Sequence, residues 1–512
     1  MFVPQIAQNN SLNFKGTPQN QPEIKQTAPP PGQYISQTNN NPPPALMQAY
    51  YTPMQGLPVA PKEKSVWATA DPGKKQRIMQ LGEQYKGFLN TSKTDLMAVE
   101  TMVKRAVSEG FQPWPENQPN RLLMPGEKYF RVNRDRSVQF IVIGQEPIST
   151  GFKMVATHLD SPHISLKARP LQDAAGGTAI FKTLVHGGLK PYQWTQRNLA
   201  LVGKVVKQDG TEVHINIGNK PGDPVFVIPE LAIHVDREGS KSITKEKLNP
   251  IVGSNEPETL PNQAEKAVSQ NIEQILYQQY GITREDLINA QLDLVPADEA
   301  RDVGFDRSIV SGYGSDDKSS AFATLEAMIS TTKQQQVPRK TLISTNFGNE
   351  EINSWNSYGA KSTDTETMIG EILQYTTGRY DELEKQKALR NSIIVSADVC
   401  TAIDPLRPDA EEVTNSAKLG FGPSIQKDGK TYSTPEASAK FMSMIRGAKT
   451  QTHAFKQDVG GGGTVGKDLA TQLNADVVDF GIPILGMHAP TELVHKADLY
   501  EFTSALMAYY MN

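Results

Sequence analysis

From Ser311 to the C-terminus, strand-like and helix-like segments alternate, and that alternation leaves few folds open. DDKSSAFATLEAMIST reads as a helix, RKTLISTNFG and NSIIVSADV as strands, and ASAKFMSMIRGAKT as a helix. DVVDFGIPIL is strand-like and KADLYEFTSALMAYYM closes as a helix. Strands alternating with helices predict an α/β fold with a mainly parallel sheet covered on both faces. In such a sheet, ligand-binding groups gather where strands end and loops begin.

The preceding part divides by pattern. Residues 1–61 are rich in Asn, Gln and Pro and poor in large aliphatics, so they cannot bury enough apolar surface to offset their ordering entropy. A disordered tail is expected there. KKQRIMQLGEQYKGFLN and TDLMAVETMVKRAVSEG carry apolar residues at helical spacing. YFRVNRDRSVQFIVIG and GFKMVATHLD read as strands, giving a first part of the α/β domain over 65–166. Residues 167–305 change character: WTQRNLALVGKVVKQ, TEVHINIG and DPVFVIPELAIHV are short strand patterns broken by Gly, Pro and Asn. They predict a β-rich insertion, after which 306–512 completes the α/β domain.

The candidate chemistry falls on strand ends. His158 and Asp160 end one strand, Asp316 and Asp317 sit in the turn before a helix, and Glu350 and Glu351 follow another strand. Asp398 ends a further strand, and His488 follows the run GIPILGM. A cap, a solvated EE pair or a buried histidine would each be ordinary alone. Their recurrence at successive strand ends points to metal, and the lone cysteine, Cys400, excludes a thiolate cage. Imidazoles and carboxylates suit two zinc ions, with a carboxylate between them; cobalt or manganese would be accepted as well. One glutamate of the pair can ligate while its neighbour takes the proton of an attacking water. Asp160 can accept the second ring N–H of His158.

THLDSPHISLK, GYGSDDKSSAFA, FGNEEINSWNSYGAKS, SADVCTAIDP and GMHAPTELVHKADLY resemble, in order, the motifs of the M18 family of metallo-aminopeptidases. The resemblance runs from about Trp67 to the C-terminus and is nearest to the bacterial aminopeptidase-1-like branch. It implies a zinc-exopeptidase-like fold and removal of N-terminal residues from peptides. It implies that His158, Asp316 and Asp398 hold one metal, that Asp316, Glu351 and His488 hold the other, and that Glu350 is the general base with Asp160 orienting His158. His234 resembles the family histidine that reaches a neighbouring subunit's site, which would make the insertion an oligomerisation domain of dimers assembling to a dodecamer. The chain departs from the family pattern at Gly348-Asn349, Ile352-Asn353, VCTAIDP and GPSIQKDGKTYST. None of these removes a ligand, and together they imply neutral or broad rather than strictly acidic specificity.

Rival readings remain. GGGTVGKD approaches a phosphate-binding loop, but Asp468 stands where Mg²⁺ binding wants Ser or Thr. An inactive scaffold of the same fold, or a dizinc hydrolase of another amide, would share the motifs. The 52 basic and 56 acidic residues are mixed, with no basic footprint for nucleic acid. No membrane span or secretory signal is apparent, so a cytoplasmic location is expected.

Overall fold

The computed structural model describes residues 63–512, apart from 117, 119–120, 240–242, 258–266, 335–336, 428–431 and 460. The tail expected over 1–61 lies outside the described residues. A twelve-stranded sheet organises the rest. Its centre is four parallel strands in the order Leu342–Phe347, Lys153–His158, Ile393–Thr401 and Asp476–Leu485. Antiparallel strands flank it, with Lys128–Asn133 and Ser137–Val142 on one side and Glu492–His495, Ile309–Gly312 and Arg301–Val303 on the other. The sheet is therefore mixed, parallel where strands alternate with helices and antiparallel where short connections permit hairpins.

Alternate side chains of the central strands enter different cores. Val155, Val395, Ala397 and Phe480 pack on one face, against helices Pro72–Thr91, Asp95–Val107, Ser315–Gln334, Pro435–Met444 and Lys496–Met511. Met154, Ala156, Ile394 and Val477 pack on the other, against Asp364–Thr377 and Gly466–Leu473. Burial on both faces explains why these strands read as continuous apolar runs. Helix starts follow capping chemistry: Asp71 accepts from the Lys74 N–H at 2.9 Å with Pro72 behind it, and Thr94 accepts from the Met97 N–H at 3.3 Å.

A second, six-stranded antiparallel sheet takes its strands from His163–Ala174, Thr178–His186, Leu199–Val206, Glu212–Ile217, Ile251–Gly253 and Ala290–Pro296. Its own core includes Phe181, Trp194, Val202 and Leu294. Arg301–Val303 already belongs to the large sheet. The strand expected across DPVFVIPELAIHV does not form. Phe226 and Val227 make isolated bridges only, and 233–235 is a turn. Pro224 and Pro229 remove ladder donors on either side of those bridges, so alternating aliphatics there find no partner strand. His234 is consequently an exposed turn residue, between Ile233 and Val235, which are 84% and 62% exposed.

Candidate active site

The carboxyl ends of the parallel strands converge on a cavity of about 400 Å³. His158 is the last residue of its strand, Glu350 and Glu351 lie just beyond Leu342–Phe347, and Asp398 lies within Ile393–Thr401. Asp316 and Asp317 occupy an irregular first turn of the helix Ser315–Gln334. His488 lies in the loop between Asp476–Leu485 and Glu492–His495 with φ of 65°. Left-handed backbone at a histidine is uncommon, and it recurs here at Asn349 (68°) and Asn353 (80°), which bracket the turn carrying the two glutamates. These two asparagines are the positions where the chain departs from the family pattern around the glutamate pair, and Asn tolerates that conformation better than most residues.

Asp316 stands between two imidazoles. Its Oδ1 is 3.2 Å from His158 Nε2, and its Oδ2 is 3.2 Å from His488 Nε2. Asp398 Oδ1 lies 3.7 Å from the same His158 nitrogen, and Glu351 Oε2 lies 3.4 Å from the same His488 nitrogen. Two clusters able to hold a metal ion result: His158, Asp317 and Asp398 in one, and Asp316, Glu351 and His488 in the other. Asp317, to which the resemblance assigns no role, thus joins the first cluster. Its Oδ2 accepts the His158 backbone N–H at 3.2 Å. Glu350 lines the cavity and belongs to neither cluster.

Asp160 serves the site in a way its spacing from His158 did not reveal. His158 Nδ1 is 3.1 Å from the Asp160 backbone carbonyl and 3.5 Å from its carboxylate. The carboxylate itself accepts the backbone N–H groups of Glu350 and Glu351, at 2.9 and 3.1 Å, and a hydrogen bond from His186 Nε2 at 2.9 Å. Although burial opposes ionisation, His158 and His186 hold Asp160 well below the usual carboxylate range. Two further participants escaped the sequence reading. Glu492 accepts the backbone N–H groups of Asp316 (3.0 Å) and His488 (2.8 Å). Lys318, fully buried, donates to Ser161 Oγ at 2.6 Å, and Ser161 in turn donates to the Asp316 carbonyl. Both lie inside motifs quoted above, but nothing in residue type separates them from neighbouring polar positions.

This many buried carboxylates is electrostatically unfavourable without cations. Burial, followed by the charges of Asp398, Asp160 and Asp316 acting against His158, pushes Glu350 up to about 8. Burial and Asp316 push Glu492 up to about 8 as well. Glu351 lies well above the ordinary range through burial and Asp316. Glu351 Oε1 and Asp317 Oδ1 are buried with no hydrogen-bond partner among the described residues. Unsatisfied buried carboxylate oxygens are costly, and divalent cations are what such a donor set fits.

A parallel-centred α/β sheet with paired histidine–carboxylate clusters at its carboxyl edge is the architecture of a metal-dependent hydrolase. The family model for Aminopeptidase I zinc metalloproteases (M18) matches residues 88–510, and the chain belongs to that family. The probable M18 family aminopeptidase 1 of Clostridium acetobutylicum is 35% identical over 468 residues, covering 88% of this chain and 98% of the relative. The crystal structure of an M18 aminopeptidase from Thermotoga maritima superposes with a TM-score of 0.81 at 32% identity, covering 88% of this chain and 99% of that one. The S. cerevisiae mApe1 dodecamer, 20% identical with a TM-score of 0.71, covers 85% of this chain and 97% of its own and shares the fold. The chain is a metallo-aminopeptidase of the zinc metalloprotease type.

Proposed function

We propose that the chain is a two-zinc aminopeptidase whose proton-transfer group is Glu350. The observation that carries this reading is Asp316, whose two carboxylate oxygens face one histidine each. His158, Asp316 and Asp398 would hold one ion, with Asp317 beside them. Asp316, Glu351 and His488 would hold the other. When bound, the ions supply Lewis acidity toward the scissile carbonyl and lower the pKa of the attacking water. Glu350, free of both clusters, takes the water's proton and delivers it to the leaving amine. Asp160 holds the turn that presents both glutamates. The same donor set accepts cobalt or manganese.

The cavity wall supports neutral or broad specificity. Val399, Phe455 and Met487 give apolar surface, and Gln426 gives a neutral amide whose Nε2 is buried with no hydrogen-bond partner among the described residues. Two lysines, Lys361 and Lys467, also line the cavity; Lys361 donates to the Asn353 carbonyl at 2.7 Å and faces Asp468 at 3.9 Å. Asp468, on the same wall, offsets part of this positive charge.

We further propose a homo-oligomer, dimers assembling to a dodecamer; the solved yeast relative is a dodecamer. The exposed aliphatics Leu231, Ile233 and Val235 on the inserted part support a subunit contact there, which would carry His234 toward a neighbouring site. No helix among the described residues is long and apolar enough to cross a membrane. A single buried thiol, Cys400, suits a reducing cytoplasm.

Hydrolysis of leucyl anilide, compared with its N-acetylated form, tests the reading. Cleavage of the free-amine substrate alone is expected. Preferential cleavage of the acetylated form would mark a deacylase, and absence of both reactions in folded protein would favour a scaffold.

A further inference from the structure

The turn His186–Gly188 belongs to the six-stranded sheet by sequence position, yet all three of its residues meet the metal site. His186 ends the strand Thr178–His186 and donates from Nε2 to Asp160 Oδ2 at 2.9 Å. A Cβ on Gly187 would stand 3.3 Å from both Cβ and Oε2 of Glu351. A Cβ on Gly188 would stand 3.3 Å from Nδ1 of His488. A side chain at either position would crowd a candidate ligand by a few tenths of an ångström, and Gly187 also needs its φ of 75°.

The orientation of His186 is itself fixed by the inserted sheet. It pairs across the ladder with His163, and the two rings stack with centroids 4.3 Å apart at 14°. His163 is anchored through Nδ1 to the Ser161 carbonyl at 2.8 Å, while its Nε2 lies 3.3 Å from Asp293 Oδ1. Asp293 is held in place by Ser165 Oγ at 2.6 Å. An ordered chain of contacts therefore runs from the core of the second sheet through His186 to Asp160, and from Asp160 to the N–H groups that set Glu350 and Glu351.

We infer that His186 is a positioning residue for catalysis, acting through Asp160 on the glutamate turn, so that the inserted sheet builds part of the active site of its own chain. This inference rests on the two-zinc reading and deepens it. Holding a proton acceptor and a ligand within a fraction of an ångström is worth large factors in rate, and loss of such a supporting contact typically costs about 10–100-fold.

The test uses the full chain loaded with zinc, and separately with cobalt for its visible spectrum. His186→Phe keeps a ring for the stack on His163 but loses the donor. His186→Gln keeps a donor at similar reach. The Phe variant is expected to retain wild-type metal content and KM within about twofold, to lose about 10–100-fold in kcat, and to show an altered cobalt spectrum, with Gln recovering most of the loss. If Phe does not fold, His186→Asn, whose donor falls short of Asp160, is expected to be about tenfold slower than Gln. Phe within twofold of wild type in kcat, or Asn equal to Gln, would overturn the inference while leaving the two-zinc reading intact. Absence of chelator-sensitive turnover in the wild type would overturn that reading, and this inference with it.

Discussion

Glu350→Gln is expected to bind zinc as the wild type does while losing about 10²–10⁴-fold in kcat toward aminoacyl anilides. The two adjacent glutamates do different things in the structure. Glu351 Oε2 approaches His488 Nε2 and shares a cluster with Asp316, and its side chain is only 4% exposed. Glu350 borders the cavity outside both clusters, where a substrate-side water can reach it. Gln has the same shape and leaves the Asp160-bound backbone turn undisturbed, but its amide cannot take a proton. KM should therefore change little and kcat fall, the pattern of an interaction made only in the transition state. Metal analysis alongside steady-state kinetics checks both halves. Near wild-type turnover with intact metal would remove Glu350 from the mechanism.

The second large effect concerns Asp316→Ala. One carboxylate faces both histidines, so in the two-zinc reading its removal takes an oxygen donor from each ion at once. Zinc content should fall to well below one ion per chain, with turnover dropping to the level of the chelated wild type. The backbone around the substitution stays anchored, because Glu492 accepts the N–H of residue 316 and Ser161 donates to its carbonyl. Secondary structure by circular dichroism should thus survive the loss of metal. Full zinc occupancy in this variant would contradict a bridging role.

The parallel centre of the sheet was legible because it combines strong signals: apolar strand runs, helical periodicity, and chemistry placed where strands stop. His158, Asp316, Glu350, Glu351, Asp398 and His488 all end up around one cavity. The helix Glu382–Arg390 was not legible, since only Lys385, Ala388 and Leu389 of its nine residues are buried. Asp364–Thr377 did carry a pattern, with Met368, Ile369, Ile372 and Leu373 on one buried face, but a turn-rich stretch beforehand masks its start. The strand expected through His234 failed because alternation alone does not supply a pairing partner, and the prolines beside it remove donors. His186 lay beyond sequence reasoning for another reason. It is 26 residues from Asp160, on the six-stranded sheet, and only the antiparallel return of its strand beside His163–Ala174 brings it to the site. Glu492 and Lys318 work through backbone atoms and a serine, contacts that leave no periodic trace.

The most direct test of the account is the turnover of leucyl anilide by chelator-treated wild-type protein as zinc is returned in measured equivalents. The account predicts no turnover in the metal-free chain and a rise that levels off at two zinc ions per chain. Undiminished turnover without metal, or none at any zinc content in folded protein, would contradict it.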